Sequence, residues 1–428
     1  MAGMTYNEAL SYIHSNFWQG SKPGLERTEK LLELLDNPQE KLKFIHVAGT
    51  NGKGSFCAML SSILTEAGYK VGTFTSPYIL RFNERMKICG KDIPDQVLAD
   101  LTEKIRPLAE KMEEKPTEFE LITAIAMEYF KEENCDLVVL ECGMGGRLDS
   151  TNIISSSLIS VITGISLDHT SFLGNSIEEI AGEKAGIIKE NCPVLFCQEN
   201  KVAEDVIRSV AEKKNAPFLL LPKEDPKVIK SDLEGTRFDF GERKDLFIPL
   251  LAPYQVHNAK NVLCAIDLLK KQNIEIPDNA IYSGLMKVRW PARYEMIAKD
   301  PVILYDGGHN PEGVDSAVES TKLYFKNKKP ILVTGVMADK DYGYMAKRMS
   351  EIASFVYCIT PENPRALNGE EFAKTFKNLG TPAVAVSSPK EGLSLAIRKA
   401  KEEGNAILCL GSLYMYGEIY TALKELGF

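Results

Sequence analysis

The segment Val47-Ala48-Gly49-Thr50-Asn51-Gly52-Lys53-Gly54-Ser55 constrains this chain more than any other. It follows the short apolar run Phe44–Ala48 and opens Phe56–Ala67, a stretch of helical periodicity. Between a strand and a helix, glycines let the backbone curl until successive N–H groups face inward, and the helix N-terminus adds its positive end. Such a loop holds phosphate. Lys53 is placed to reach the β- and γ-phosphates of a nucleotide, and Ser55 to offer its hydroxyl near them or near magnesium. The spacing departs from the common G-x-x-x-x-G-K-[ST] form, because Gly54 separates Lys53 from Ser55. A loop of this kind specifies phosphate and leaves the reaction open, since kinases, motors, GTPases and ligases all use one.

The surrounding pattern alternates strand and helix. Val71–Phe74, Leu137–Glu141, Leu158–Thr163 and Val194–Cys197 are further apolar runs, and Thr117–Lys131 reads as an amphipathic helix. Short buried runs between helices predict an α/β fold, a P-loop-type mainly parallel sheet covered on both faces. Two short helices are expected ahead of it, around Asn7–Ser15 and Leu25–Leu35, with a turn between them at Trp18, Gly20, Pro23 and Gly24. Residues 227–250, with Arg237–Gly241 and Leu246–Ile248, read as a small antiparallel appendage, followed by a helix over His257–Lys271. From residue 301 five more apolar runs, each followed by a helical pattern, predict a smaller doubly wound, Rossmann-like α/β domain. A chain of 428 residues favours two or three domains. The boundary is expected within Lys287–Pro301, giving domains over 1–297 and 298–428, and ligand sites favour such junctions.

Composition narrows the function. A formal net charge of −8 argues against a nucleic-acid-coating protein. No apolar run is long enough to cross a bilayer, and the N-terminus lacks the basic flank and apolar stretch of a signal peptide, so no membrane partner and a cytoplasmic location are expected. The nine cysteines contain no C-x-x-C pair, which leaves zinc and a disulfide framework poorly supported.

Several charged residues fall where strands end, the edge on which open α/β sheets place ligands. Glu141 closes a buried run just before a glycine turn, a position suited to magnesium, a hard ion that prefers oxygen. Asp168-His169 follows Leu158–Thr163, which puts His169 on the same edge. Lys184 lies among small residues on or beside a helix, where periodicity alone reads it as an ordinary exposed lysine. Asp306 ends another run before Gly307-Gly308-His309; it is a candidate acceptor for ribose hydroxyls, and His309 a candidate to face the reacting phosphate across the cleft. Arg293, at the expected junction, is a candidate to neutralise phosphate charge.

Taken together, these segments resemble the folylpolyglutamate and dihydrofolate synthases, a branch of the Mur ligase superfamily. Ile45–Ser55 and Val139–Ile154 match the family's two signatures. Thr75–Tyr78, Arg81–Arg85, Leu167–His169, Glu183–Lys189, Arg289–Arg293, Asp306–Pro311 and Gly411–Tyr414 also fit. The resemblance implies an ATP-dependent amide ligase that adds L-glutamate to a reduced folate, and possibly to dihydropteroate, through an acyl phosphate, with ADP and phosphate released. It implies ATP contacts from Gly49, Thr50, Asn51, Gly52, Lys53, Gly54, Ser55, Asn258, Arg293 and Asp306. It implies two Mg2+ positions served by Ser76, Glu141 and His169, and a carbamylated Lys184 that helps hold the second ion. It implies a pterin-side pocket lined by Thr117, Glu118, Phe119 and by Leu148, Asp149, Ser150. Lys53, Lys184 and His309 are the expected catalytic residues, and a monomer is the expected state. One departure stands out: Leu251–His257 lacks the glycine that the family usually carries ahead of its ATP-binding asparagine, here Asn258. Two rivals stay open. A peptidoglycan-type Mur ligase shares the chemistry but usually has an N-terminal domain for which 48 residues leave little room. A P-loop NTPase switch or binding module would hydrolyse ATP without folate or glutamate.

Overall fold

A computed structural model describes residues 3–15, 24–167, 170–326 and 328–428. Trp18, Gly20 and Pro23 of the expected turn lie outside the described residues, as do Asp168 and His169. The chain forms two compact units, one of residues up to Asp225 together with Asn258–Val288, the other of Pro226–His257 together with Arg289–Phe428.

The first unit is built on eight strands, β1 (Phe44–Ala48), β2 (Val71–Phe74), β3 (Met86–Ile88), β4 (Lys91–Asp92), β5 (Leu137–Glu141), β6 (Ile159–Ile162), β7 (Val194–Phe196) and β8 (Phe218–Leu220). They form one sheet in the order β4-β3-β2-β5-β1-β6-β7-β8, parallel except at β3 and β4. Every residue of β1, β5 and β6 is buried, as expected of strands covered on both faces. The helix Glu118–Glu132 covers part of the sheet with an unbroken buried run from Glu120 to Phe130. Its start is a capping box: the Thr117 hydroxyl accepts the Glu120 N–H, and Glu120 accepts the Thr117 N–H at 2.7 Å. The helix Lys53–Glu66, which begins in the glycine loop, packs against a second helix, Asp278–Lys287. Gly284 permits that approach, because a Cβ there would collide with the Ile63 backbone. The hairpin β3–β4 was not apparent in the sequence; its turn residues Cys89 and Gly90 both take positive φ, the conformation of a two-residue hairpin loop.

In the second unit β9 (Lys227–Asp232), β10 (Gly235–Phe240) and β11 (Arg243–Ile248) make a three-stranded antiparallel sheet. β12 (Glu295–Lys299), β13 (Val302–Asp306), β14 (Ile331–Thr334), β15 (Phe355–Cys358), β16 (Ala383–Ala385) and β17 (Ile407–Leu410) make the other, in the order β12-β13-β17-β14-β15-β16. Only β12 runs antiparallel. The mixed α/β fold class expected from the sequence is the one found. The grouping of residues differs from a division at 297/298. Leu251, Ala252 and Tyr294 share a core with Leu304, Val314, Leu332, Leu408 and Phe372. The Tyr324 hydroxyl accepts the Ala252 N–H at 3.1 Å and lies 3.3 Å from Ser231 Oγ. These contacts tie the antiparallel segment to the later one.

Candidate active site

The glycine loop is anchored at the carboxyl end of β1. Gly52, at φ +85°, caps the helix that Lys53 begins, a left-handed conformation that favours glycine. The Thr50 N–H donates to Gly164 O, Thr50 Oγ1 accepts the Ser166 N–H at 3.1 Å, and Thr163 Oγ1 donates to Asn51 O at 2.7 Å. Gly54 and the buried Ser55 fall in the helix's first turn. Lys53 Nζ curls back on its own loop, donating to Gly49 O at 3.0 Å and Thr50 O at 3.3 Å. Asn258 stands beside the loop, with its Oδ1 2.8 Å from where a Cβ on Gly52 would sit.

A small, partly open space of about 40 Å³ adjoins the loop, lined by Gly49, Thr50, Lys53, the turn Cys142–Gly145, Leu173 and Lys184. Lys184, from the helix Ile177–Ala185, is 4% exposed, so the solvated lysine that periodicity suggests is not what forms. On the neighbouring strand β5, Val47 and Glu141 are in register. Glu141 is 3% exposed, and its Oε2 accepts the Ser76 N–H at 3.2 Å. Among the described residues no group of three or more His, Cys, Asp or Glu is arranged to hold a metal. Glu141 and Ser76 are nevertheless oxygen donors of the kind magnesium takes, and His169, the third expected ligand, lies outside the described residues.

The turn after Glu141 is held from within. Asp149 Oδ2 accepts the Met144 N–H at 2.8 Å, while its Oδ1 accepts the Thr151 N–H at 3.0 Å and the Thr151 hydroxyl at 2.5 Å. Burial raises the Asp149 carboxyl above its usual range, opposed by these hydrogen bonds. Since the Thr151 hydroxyl donates to Asp149, it accepts from His46 Nε2 at 2.9 Å. His46, fully buried on β1, thus carries a proton on Nε2, and its Nδ1 has no hydrogen-bond partner among the described residues. Burial pushes its pKa down to about 3, with the Lys189 cation adding to the effect. Cys142 Sγ lies 3.1 Å from the same Nε2. Sequence reasoning missed this network because nothing local marks a histidine inside an apolar strand as paired.

The remaining expected substrate residues are partly committed elsewhere. The Thr117 hydroxyl serves as helix cap, and Glu118 Oε2 lies 3.4 Å from His14 Nδ1. Phe119 packs over Gly143, whose missing Cβ would sit 2.6 Å from the ring, and so joins the 117–119 stretch to the turn. Leu148 is 37% exposed, and Ser150 is buried at the start of a short 3-10 turn. A bidentate pair, Arg27 to Glu120 at 3.0 and 2.6 Å, supports the helix start and was also missed.

In the second unit, Asp306 closes β13 with both oxygens engaged. Oδ1 accepts the Gly308 N–H at 2.7 Å, and Oδ2 accepts the Tyr294 N–H at 2.8 Å and the Tyr254 hydroxyl at 3.2 Å. Burial raises its carboxyl, and the Arg293 charge opposes the shift. Tyr254 was not foreseen as its partner. His309 Nδ1 lies 3.0 Å from Gly307 O, and Arg293 Nη1 comes within 3.0 Å of where a Gly307 Cβ would be.

Comparison with known proteins agrees with this geometry. The family model described as the Mur ligase middle domain matches residues 47–269, and that described as the Mur ligase glutamate ligase domain matches 292–413. The dihydrofolate synthase/folylpolyglutamate synthase of Bacillus subtilis is 40% identical over 98% of this chain and 99% of its own. The crystal structure of folylpolyglutamate synthase from Thermotoga maritima superposes with a TM-score of 0.87 at 33% identity, covering 98% of this chain and 96% of that one. That of Escherichia coli FolC in complex with DHPP and ADP gives 0.85 at 29% identity, covering 99% and 98%. Each of these similarities extends over nearly the whole length of both chains. The chain belongs to the folylpolyglutamate and dihydrofolate synthase branch of the Mur ligase family.

Proposed function

We propose that the chain joins L-glutamate to a folate at the expense of ATP, extending reduced folates and also acting on dihydropteroate. The observation that carries this reading is the pairing of the phosphate loop with Glu141 on adjacent parallel strands, in register at Val47 and Glu141. The B. subtilis relative carries both activity names, and the E. coli relative's structure holds ADP with DHPP, which supports a nucleotide at the loop of this chain.

A free carboxylate is a poor acyl donor because oxide would have to leave. The folate carboxylate attacks the γ-phosphorus of ATP, the bond to the β-phosphate oxygen breaks, and ADP departs from an acyl phosphate. The uncharged α-amine of L-glutamate then attacks the acyl carbon. The tetrahedral intermediate expels phosphate, the nitrogen loses its proton, and the amide remains. Lys53 neutralises charge developing on the transferred group, a role that Arg293 shares. Asn258 and Asp306 contact the nucleotide in this reading, Asp306 orienting the Tyr254 hydroxyl and the 306–309 turn. Thr117, Glu118, Phe119, Leu148, Asp149 and Ser150 frame the pterin side, with Phe119 as its aromatic wall and Asp149 shaping the turn from within.

Ser76, Glu141 and His169 would hold magnesium, which when bound adds positive charge beside the phosphates. Lys184, buried beside the loop, is the residue for carbamylation; a carbamate there would replace an ammonium by an anion among the metal-binding groups. His309 steadies the acyl phosphate. The enzyme works as a monomer in the cytoplasm, with a light-scattering mass near 47.5 kDa expected. No helix among the described residues is long and apolar enough to cross a membrane.

The deciding assay is ADP release from purified protein with dihydropteroate or tetrahydrofolate, each with and without L-glutamate. Release that needs both co-substrates supports the ligase; release indifferent to them supports an NTPase switch instead. Glutamate incorporation measured separately on the two acceptors separates the two activities.

A further inference from the structure

The buried hydrogen-bond chain that starts at His46 ends on a wall of the site. His46 lies on β1, the strand that runs directly into the phosphate loop. Its Nε2 donates to the Thr151 hydroxyl at 2.9 Å, the hydroxyl donates to Asp149 Oδ1 at 2.5 Å, and Asp149 Oδ2 accepts the Met144 N–H at 2.8 Å. Cys142 Sγ, 3.1 Å from the same imidazole nitrogen, adds a second contact to the turn. Two walls of the small space beside Lys53 are thus joined from beneath, the phosphate loop on one side and Cys142–Gly145 on the other.

The far end of the turn is keyed to the helix that bears Lys184. The Arg147 N–H donates to Glu183 O at 2.8 Å, and a Cβ on Gly146 would sit 3.0 Å from the Lys184 Cα. Asn152 Nδ2 donates to Arg147 O and to Gly186 O, each at 3.1 Å, and Lys189 Nζ donates to Asn152 O at 2.9 Å. A displacement of the turn is therefore passed on to Lys184.

Packing alone does not call for an imidazole at this position. Every residue of β1 is buried, and an apolar side chain would fill that layer without burying Nδ1, which finds no hydrogen-bond partner among the described residues. What an apolar residue lacks is the donor at Nε2. The Thr151 hydroxyl has one proton, given to Asp149, and its oxygen accepts from His46, which holds the hydroxyl turned toward the carboxylate.

We propose that His46 is a positioning residue for the ligase reaction, setting the Cys142–Gly145 turn against the phosphate loop through Thr151 and Asp149. The inference rests on the ligase reading above and adds to it a residue buried beneath the site. Without the Nε2 donor the Thr151 hydroxyl can turn away from Asp149, and the turn loses its fixed place beside Lys53 and Lys184. ATP is held chiefly by the N–H groups of the phosphate loop, which the chain leaves untouched. The loss falls on the folate-dependent step and spares nucleotide binding.

The test pairs steady-state kinetics with ATP binding measured in the absence of folate. His46→Leu is expected to lower kcat/KM for tetrahydrofolate at least ~10-fold, since a misplacement of about 1 Å can cost about 10²-fold. Its Kd for ATP stays within about twofold of wild type. His46→Gln, whose amide supplies a donor again, recovers most of the loss. Added to Thr151→Val, His46→Leu brings no further loss, because both act on one chain. If His46→Leu folds poorly, Thr151→Val cuts the same chain and is compared with Thr151→Ser, which keeps the hydroxyl and most of the rate. An unchanged kcat/KM in the folded variant, an equal loss of ATP affinity, no recovery in His46→Gln, or losses that multiply in the double variant each overturns the proposal. Wild-type protein without any folate-dependent ADP release fails the ligase reading itself, a separate result.

Discussion

Lys53 spends its hydrogen bonds on the carbonyls of Gly49 and Thr50, contacts that an incoming phosphate outcompetes because it brings opposite charge. Lys53→Ala is therefore expected to lower turnover by at least ~10²-fold, the scale of one lost transition-state donor, while the urea midpoint stays put. Near-normal turnover would remove the loop from the mechanism. His46 gives a prediction of different kind. Its folded pKa, about 3, lies below the ordinary histidine value, so the unfolded chain binds the extra proton first as pH falls. The stability it contributes is complete above pH ~6.5 and declines at about 1.4 kcal/mol per pH unit down to about 3. Urea unfolding at pH 7 and pH 5 should show wild type losing about 2 kcal/mol more than His46→Gln over that interval; equal losses would refute the assignment. Lys53 and Glu141 were legible in the sequence because their neighbours announce a loop and a strand end. His46–Thr151 and Arg27–Glu120 were not, since the partners lie 105 and 93 residues apart and each looks unremarkable alone.

Elements buried on both faces were the easiest to foresee. β1, β2, β5 and β14 coincide with apolar runs because every side chain there meets a hydrophobic layer. β12, only half-buried along its length, carries Glu295 and Lys299 and gave no such run. The helix Asp278–Lys287 also escaped notice, although it supports the phosphate-binding helix. Ser62 Oγ donates to Gly284 O at 2.7 Å, and Lys287 pairs with Glu66 at 2.8 Å. The contact depends on the bare Cα of Gly284. Gly284→Ala is expected to cost ~1–3 kcal/mol by overpacking, read as a lower urea midpoint. A neutral result would mean that the two helices can separate freely.

At the scale of the molecule, the second unit takes residues from both sides of Asn258–Val288. A fragment of 298–428 lacks the first three residues of β12 (Glu295–Lys299) together with Tyr294, Leu251 and Ala252, all of which belong to its sheet or core. It should unfold without a cooperative transition, whereas joining 226–257 to 289–428 through a short linker should restore one. A cooperative transition in the shorter fragment would contradict the grouping. ATP at about 100 times its Kd should stabilise the whole protein by about 2.7 kcal/mol, an increment expected to vanish in Lys53→Ala. Alternating apolar runs showed two sheets in the sequence, but no local pattern reveals that one core draws on separate stretches. That interleaving has a consequence for synthesis. A ribosome releases β9, β10 and β11 before any of the later strands exist, and then must release Asn258–Val288, which belongs to the earlier unit. The nascent chain thus carries a half-built partner, with Leu251 and Ala252 still waiting for the rest of their core, while the first unit closes. Premature contacts of those waiting segments are the hazard this gene order imposes on the growing polypeptide.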